Sequence, residues 1–208
     1  MRTRIKFCGC TGVKEVALAA EAGADAVGLI LAPSPRRVSL KTLGRVAREL
    51  PPFVTPVAVF VGPSREQIAR ARAIIPQLVV QLSGVEDPEF VSSVEGRLIK
   101  AIHVSQESTN AQLKTACAKF DGALVMFDTM AHMAGGSGIT FPWEKVAGLA
   151  RDRPIVLSGG LTPKNVARCI RLVRPYAVDV RSGVELHEKK DVLKMRAFVR
   201  AVRQADET

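Results

Sequence analysis

Aromatic side chains are scarce in this chain. One tryptophan, one tyrosine and eight phenylalanines among 208 residues leave little for a base-stacking platform. The arginines are scattered over helical faces, so the formal charge of +10 reads as a solvated basic surface that attracts an anionic substrate. A nucleic-acid partner is not expected. The four cysteines, Cys8, Cys10, Cys117 and Cys169, lack paired zinc spacing. A bridge between the alternate strand residues Cys8 and Cys10 would be strained. Reduced thiols and a cytoplasmic compartment are therefore expected. No apolar run is long enough to span a membrane. The first residues enter a strand without an apolar signal region. No Gly-x-Gly-x-x-Gly follows the first strand, which counts against a dinucleotide-binding sheet. No linker, low-complexity tract or short repeat interrupts the chain.

What is present is a steady alternation of strand and helix signals. Strands are predicted at Ile5–Cys8, Ala26–Leu31, Pro56–Val61, Leu78–Leu82, Leu98–His103, Ala123–Asp128, Ile155–Leu157 and Ala177–Val180. They are short, rich in Val, Ile and Leu, and mostly apolar on both faces, as in a buried parallel sheet. Amphipathic helices lie between them. Ser64-Arg65-Glu66-Gln67 reads as a capping box. Thr162-Pro163 is expected to open a helix, with proline at its first position. Val192, Met195, Val199 and Val202 form the inner stripe of the last helix. Eight such units in 208 residues predict one α/β domain, a closed (β/α)8 TIM barrel spanning residues 1–208. An open doubly wound sheet is the alternative.

Two small-residue turns carry the first functional signal. Ser158-Gly159-Gly160-Leu161 and Asp179-Val180-Arg181-Ser182-Gly183 follow the last two strands. Such turns free backbone N–H groups and admit an anion. In a (β/α)8 barrel this is where a phosphate is held, so a small phosphorylated substrate is expected. Two further residues stand at strand ends, where barrel active sites lie. Cys8 ends strand one; alone, it reads first as a small buried residue and only second as a catalytic thiol. Asp128 ends strand six, where a carboxylate must be paired or used to offset its desolvation, although aspartate also caps turns.

Seven segments in order then carry a resemblance: Lys6-Phe7-Cys8-Gly9 with Thr11, Glu21 to Gly28, Ser34-Pro35-Arg36-Arg37-Val38-Ser39, Phe127-Asp128-Thr129, Gly135-Gly136-Ser137-Gly138, Ser158 to Leu161, and Val178 to Glu185. Over essentially its whole length the chain resembles the phosphoribosylanthranilate isomerase family of tryptophan biosynthesis. The resemblance implies an Amadori rearrangement of a phosphorylated aminoaldose, with Asp128 as acid, Cys8 as base and no cofactor or metal. It also implies that Arg36 grips the anthranilate carboxylate. Gln81 and Asp179 are implied to contact the substrate, and Gly160, Ser182 and Gly183 to hold its phosphate. Arg181, where the family commonly has serine or asparagine, adds charge beside that phosphate. Other departures are Ser83 in place of a common histidine, Ile139 in place of lysine or glutamine, and Pro142 in a usual Phe-Asp-Trp.

Two other readings are weighed against this one. One is a non-catalytic barrel that keeps the phosphate pocket. The other is a related barrel isomerase acting on another phosphorylated aminosugar. The latter resemblance puts aspartates at the ends of strands one and five, where this chain has Cys8 and His103. A monomer or homodimer is expected. Strand alternation puts Lys6 on the face of Cys8, and Asp179 on the face of Arg181. If the barrel closes, Lys6 and Asp179 are expected to pair inside it, with Lys6 favouring the Cys8 thiolate. Residues Thr129–Ile139 and Ala32–Arg37 are expected to form a mobile rim above preformed phosphate turns.

Overall fold

Both faces of the predicted strands are apolar, and the reason is visible in how they pair. In the computed structural model, which describes residues 2–129 and 141–207, eight strands pair in chain order and close on themselves. They are β1 (Arg4–Cys8), β2 (Ala26–Ile30), β3 (Thr55–Phe60), β4 (Val79–Leu82), β5 (Leu98–Val104), β6 (Leu124–Thr129), β7 (Ile155–Leu157) and β8 (Ala177–Val180). The closing pair is parallel, with Arg4 opposite Ala177 and Lys6 opposite Asp179. This pairing excludes the open sheet. No strand end differs from expectation by more than one residue.

The alternate residues of each strand divide the core. Outward side chains such as Phe7, Leu29, Val80 and Phe127 pack under the helices. Inward ones form a lower layer that includes Val57, Val79, Ile99, Met126 and Val156, as expected for a filled barrel. A small upper apolar group, Cys8, Ile30, Ala32 and Val59, lies beneath the C-terminal mouth.

The helices are α1 (Val13–Ala22), α2 (Leu40–Glu49), α3 (Arg65–Ile74), α4 (Pro88–Ser93), α5 (Asn110–Ala118), α6 (Glu144–Ala147), α7 (Leu149–Asp152), α8 (Val166–Val173) and α9 (Val192–Asp206). The capping box expected at Ser64–Gln67 is formed in both directions. The last helix docks on the first strand, and Phe198 meets Phe7 edge to face at 6.1 Å. Among the described residues no helix is long and apolar enough to cross a membrane.

One local expectation is corrected. The helix expected to open at Thr162-Pro163 begins at Val166 instead. The Asn165 carboxamide accepts from the Thr162 amide at 2.7 Å and donates to the Gly160 carbonyl at 3.0 Å. These bonds stabilise a turn in place of the first helical turn. In addition, an antiparallel hairpin, β9 (Glu185–Leu186) with β10 (Lys189–Lys190), follows β8. Its turn residues His187 and Glu188 both adopt positive φ, as a tight two-residue hairpin turn requires. The Gly135–Gly138 stretch, Ile139 and most of the expected Thr129–Ile139 lid lie outside the described residues.

Candidate active site

The inward side chains at the C-terminal mouth of the barrel are mostly polar, whereas those below them are apolar. Lys6 and Cys8 project inward from β1, Gln81 from β4, His103 from β5, Asp128 from β6 and Asp179 from β8. They share the face of the barrel-filling residues two positions earlier on their strands. Ser158 extends the same face at the end of β7.

The expected interior ion pair is present. Lys6 Nζ lies 2.6 Å from Asp179 Oδ1, and both residues are buried. Ser158 donates to the other Asp179 oxygen at 3.3 Å. Burial alone would push the Lys6 ammonium down. The charges of Asp179 and Cys8, with hydrogen bonds to both, raise it above its ordinary value instead. Gly28 on β2 makes room for this group. A Cβ there would sit 2.8 Å from Cys8 Sγ and 3.1 Å from Lys6 Nζ.

The effect of Lys6 on Cys8 requires a correction. Lys6 does favour the thiolate, as expected, but burial is the larger effect and Asp179 adds to it. The Cys8 thiol is pushed above its ordinary value overall. Asp128 is also pushed up, first by burial and then by the Asp179 charge. His103, the Ser158 hydroxyl and Arg181 oppose the rise only in part. A carboxyl held in this way keeps its proton to a higher pH than an exposed aspartate does. His103 faces Asp128 in the β5–β6 register.

Gln81 and His103 share a partner, and it is the departure Ser83. The Gln81 carboxamide donates to Ser83 Oγ at 3.0 Å. His103 Nε2 lies 3.0 Å from the Ser83 carbonyl. A carbonyl only accepts, so Nε2 carries the proton. Ser83 thus orders two polar side chains at the mouth.

The two phosphate-type turns rest on one another. A Cβ at Gly183 would fall 1.9 Å from the Leu161 carbonyl oxygen, and one at Gly159 would fall 2.2 Å from Thr129 Oγ1. Gly159 and Gly160 both have positive φ. Their backbone path is therefore open to glycine and to few other residues. Ser182 and Gly183 lie in a short 3-10 turn, Ser182–Val184. Asn165 fixes the first turn through the two bonds described above. The sequence reading missed Asn165; an Asn three residues after a Thr at a turn was the available signal. Arg181 leans back toward the end of β1. A Cβ at Gly9 would be 3.3 Å from its Cγ and 3.1 Å from Arg36 Cδ.

Arg36 is placed at the mouth as expected, but its fork is occupied. Nε and Nη2 donate to the two oxygens of Glu185 at 3.1 and 2.7 Å. Glu185 in turn accepts from Lys190 Nζ at 2.8 Å. The Ala32–Arg37 segment also carries a bridge between Ile30 and Arg37.

Two remaining features lie outside the site. Pro142 gives its carbonyl to the Lys145 amide at 3.1 Å, so it begins the turn into α6 without disturbing buried Phe141 and Trp143. A cavity of about 620 Å³ opens at the N-terminal end of the barrel. Of the residues placed at the mouth, Lys6 alone is also among those lining it.

The comparisons agree with this geometry. Residues 5–201 match the family model described as N-(5'phosphoribosyl)anthranilate (PRA) isomerase. The N-(5'-phosphoribosyl)anthranilate isomerase of Moorella thermoacetica is 40% identical, over 98% of this chain and 91% of its own. The crystal structure of phosphoribosyl anthranilate isomerase from Thermotoga maritima is similar with a TM-score of 0.88 at 37% identity, covering 97% of this chain and 99% of that one. A crystal structure of phosphoribosyl anthranilate isomerase in complex with reduced 1-(O-carboxyphenylamino)-1-deoxyribulose 5-phosphate is similar with a TM-score of 0.84 at 34% identity, covering 97% of this chain and 99% of that one. On the whole-length match and the (β/α)8 barrel together, the chain belongs to the N-(5'-phosphoribosyl)anthranilate isomerase family.

Proposed function

We propose that this chain isomerises N-(5-phosphoribosyl)anthranilate to 1-(2-carboxyphenylamino)-1-deoxyribulose 5-phosphate in tryptophan biosynthesis, with Asp128 as general acid and Cys8 as general base. The observation that carries the assignment is the pair of inward positions. Both groups project into the same mouth, Cys8 two positions after Lys6 on β1 and Asp128 on β6, two strands from Asp179 on β8. The Asp128 carboxyl is held above its ordinary value by burial and by Asp179.

The reaction needs one proton delivered and one removed. Asp128 protonates the furanose ring oxygen, the C–O bond opens, and the nitrogen lone pair forms an iminium. Cys8 as thiolate takes the proton from the adjacent ribose carbon. The electron pair of that C–H bond neutralises the iminium and leaves an enolamine, which tautomerises to the ketone. The positive iminium next to Cys8 supports the thiolate at the step that uses it. Gln81 and Asp179 are assigned to the ribose end, and Arg36 to the anthranilate carboxylate, whose geometry suits a guanidinium. Gly160, Arg181, Ser182 and Gly183 are assigned to the phosphate. Small-molecule binding in this mouth requires no second chain, which fits a monomer or homodimer. The test is the loss of phosphoribosylanthranilate fluorescence with purified protein. The reading predicts its conversion to the ketose, and substrate left intact at high enzyme concentration would refute it.

A further inference from the structure

Glu185 is a buried carboxylate at the barrel mouth that the reaction above does not use. Its side chain is 5% exposed, and a charge held so far from water must be compensated. Two cations compensate it, Arg36 through two bonds and Lys190 through one at 2.8 Å. Its backbone is fixed as well, because Lys194 Nζ donates to the Glu185 carbonyl at 2.7 Å. The hairpin β9–β10 brings Glu185 and Lys190 together.

The way Arg36 is held determines what it can still bind. A guanidinium has five N–H donors in one plane. Glu185 takes the side formed by Nε and Nη2. The end formed by Nη1 and Nη2 keeps its remaining donors. Glu188 also approaches Nη2, at 3.6 Å, but its side chain is 74% exposed and its charge is screened. The arginine stem lies over Gly9, the residue after Cys8, where a Cβ would come within 3.1 Å of Arg36 Cδ. Two cations on one buried anion leave one net positive charge at this side of the mouth. That charge matches a single carboxylate.

We infer that Glu185 is a positioning residue that clamps one side of the Arg36 guanidinium and so aims its free end at the aromatic carboxylate of the substrate. The inference rests on the isomerase reading and adds to it the residue that sets carboxylate recognition. Lys190 keeps the clamp neutral, so Glu185 orients Arg36 without cancelling its charge.

The test compares two ligands that differ only in the carboxylate. One is reduced 1-(2-carboxyphenylamino)-1-deoxyribulose 5-phosphate; the other is its phenylamino counterpart. Binding of each to the wild type, Glu185→Ala and Glu185→Gln is measured by titration calorimetry. The inference predicts that Glu185→Ala weakens the carboxylate-bearing ligand by about tenfold, the scale of one charge-assisted hydrogen bond, and leaves the other unchanged. Glu185→Gln, which keeps one acceptor and nearly the same shape, loses about threefold on the same scale and carries the test if the alanine variant does not fold. In turnover, KM rises and kcat holds. Equal weakening of both ligands would make Glu185 merely structural. Tighter binding of the carboxylate ligand would make it a competitor for Arg36, and unchanged binding would leave it no role; each result overturns the inference. Wild-type protein that binds neither ligand would overturn the isomerase reading, and this inference with it.

Discussion

At the scale of single residues, burial acts on Asp128 and Cys8 in the same direction, toward the neutral form, but with opposite consequences for their roles. Each is held toward its protonated form. The carboxyl is thereby readied as an acid, while the thiol must lose its proton to act. The active microstate has Asp128 protonated and Cys8 ionised, and it carries the same total proton count as the reverse arrangement. A pH profile of kcat/KM therefore reports the singly protonated pair. Its acid limb is expected above the ordinary carboxylate range, because the Asp128 value is raised. Its alkaline limb is expected above the ordinary thiol range, because the Cys8 value is raised. Cys8→Ala should remove the alkaline limb from whatever activity remains; a limb that survives unchanged belongs to another group. The Lys6–Asp179 pair gives a stability prediction. Lys6→Met leaves Asp179 buried without its cation, which should cost about 3–5 kcal/mol. Lys6→Met combined with Asp179→Leu should recover much of that loss in denaturant unfolding. If the single and double variants unfold alike, the pair is not what stabilises this part of the core.

At the scale of elements, the two phosphate-type turns are held by backbone packing, because no side chain intervenes between Gly183 and the Leu161 carbonyl. Asn165 ties the first turn at both ends. Asn165→Ala should weaken inorganic phosphate binding by about tenfold, on the scale of an orienting hydrogen bond or two, with kcat nearly unchanged at saturating substrate. Phosphate titration with unchanged affinity would show that the turn holds its shape without Asn165. The sequence revealed the strands because a parallel barrel buries both of their faces, and runs such as Leu124–Phe127 announce that directly. It gave no sign of the hairpin β9–β10, whose strands have two residues each and whose turn puts His187 and Glu188 at positive φ without a glycine. It also concealed the α8 start, since Thr162-Pro163 satisfies the usual rule for a helix opening and Asn165 alone diverts it. Lys100 was hidden within an apolar run. It points outward from β5 and pairs at 2.8 Å with Glu86. The same glutamate accepts from the Gly62 and Gly84 amides, so one buried pair joins the loops after β3 and β4 to β5.

At the scale of the molecule, closure of the barrel is what converts scattered sequence signals into one site. Lys6 and Asp179 are 173 positions apart, and Arg36 and Glu185 are 149 apart. The first pair was foreseeable, because a closed barrel makes β1 and β8 neighbours and alternation sets their faces. The second was not, because it joins a loop to a two-residue hairpin strand, and no periodicity specifies the path of either. Cys8, Asp128 and Asp179 were legible as strand ends; the orienting roles of Ser83 and Asn165 required the fold. The central claim is that the mouth assembled in this way isomerises its substrate with Asp128 as acid and Cys8 as base. The most direct measurement is turnover of phosphoribosylanthranilate by wild type, Asp128→Asn and Cys8→Ser, alongside the affinity of each for a product analogue. Each substitution should lower kcat by about a hundredfold or more, the usual cost of removing a general acid or base, while analogue affinity changes little. Wild-type turnover in either variant would contradict the assignment.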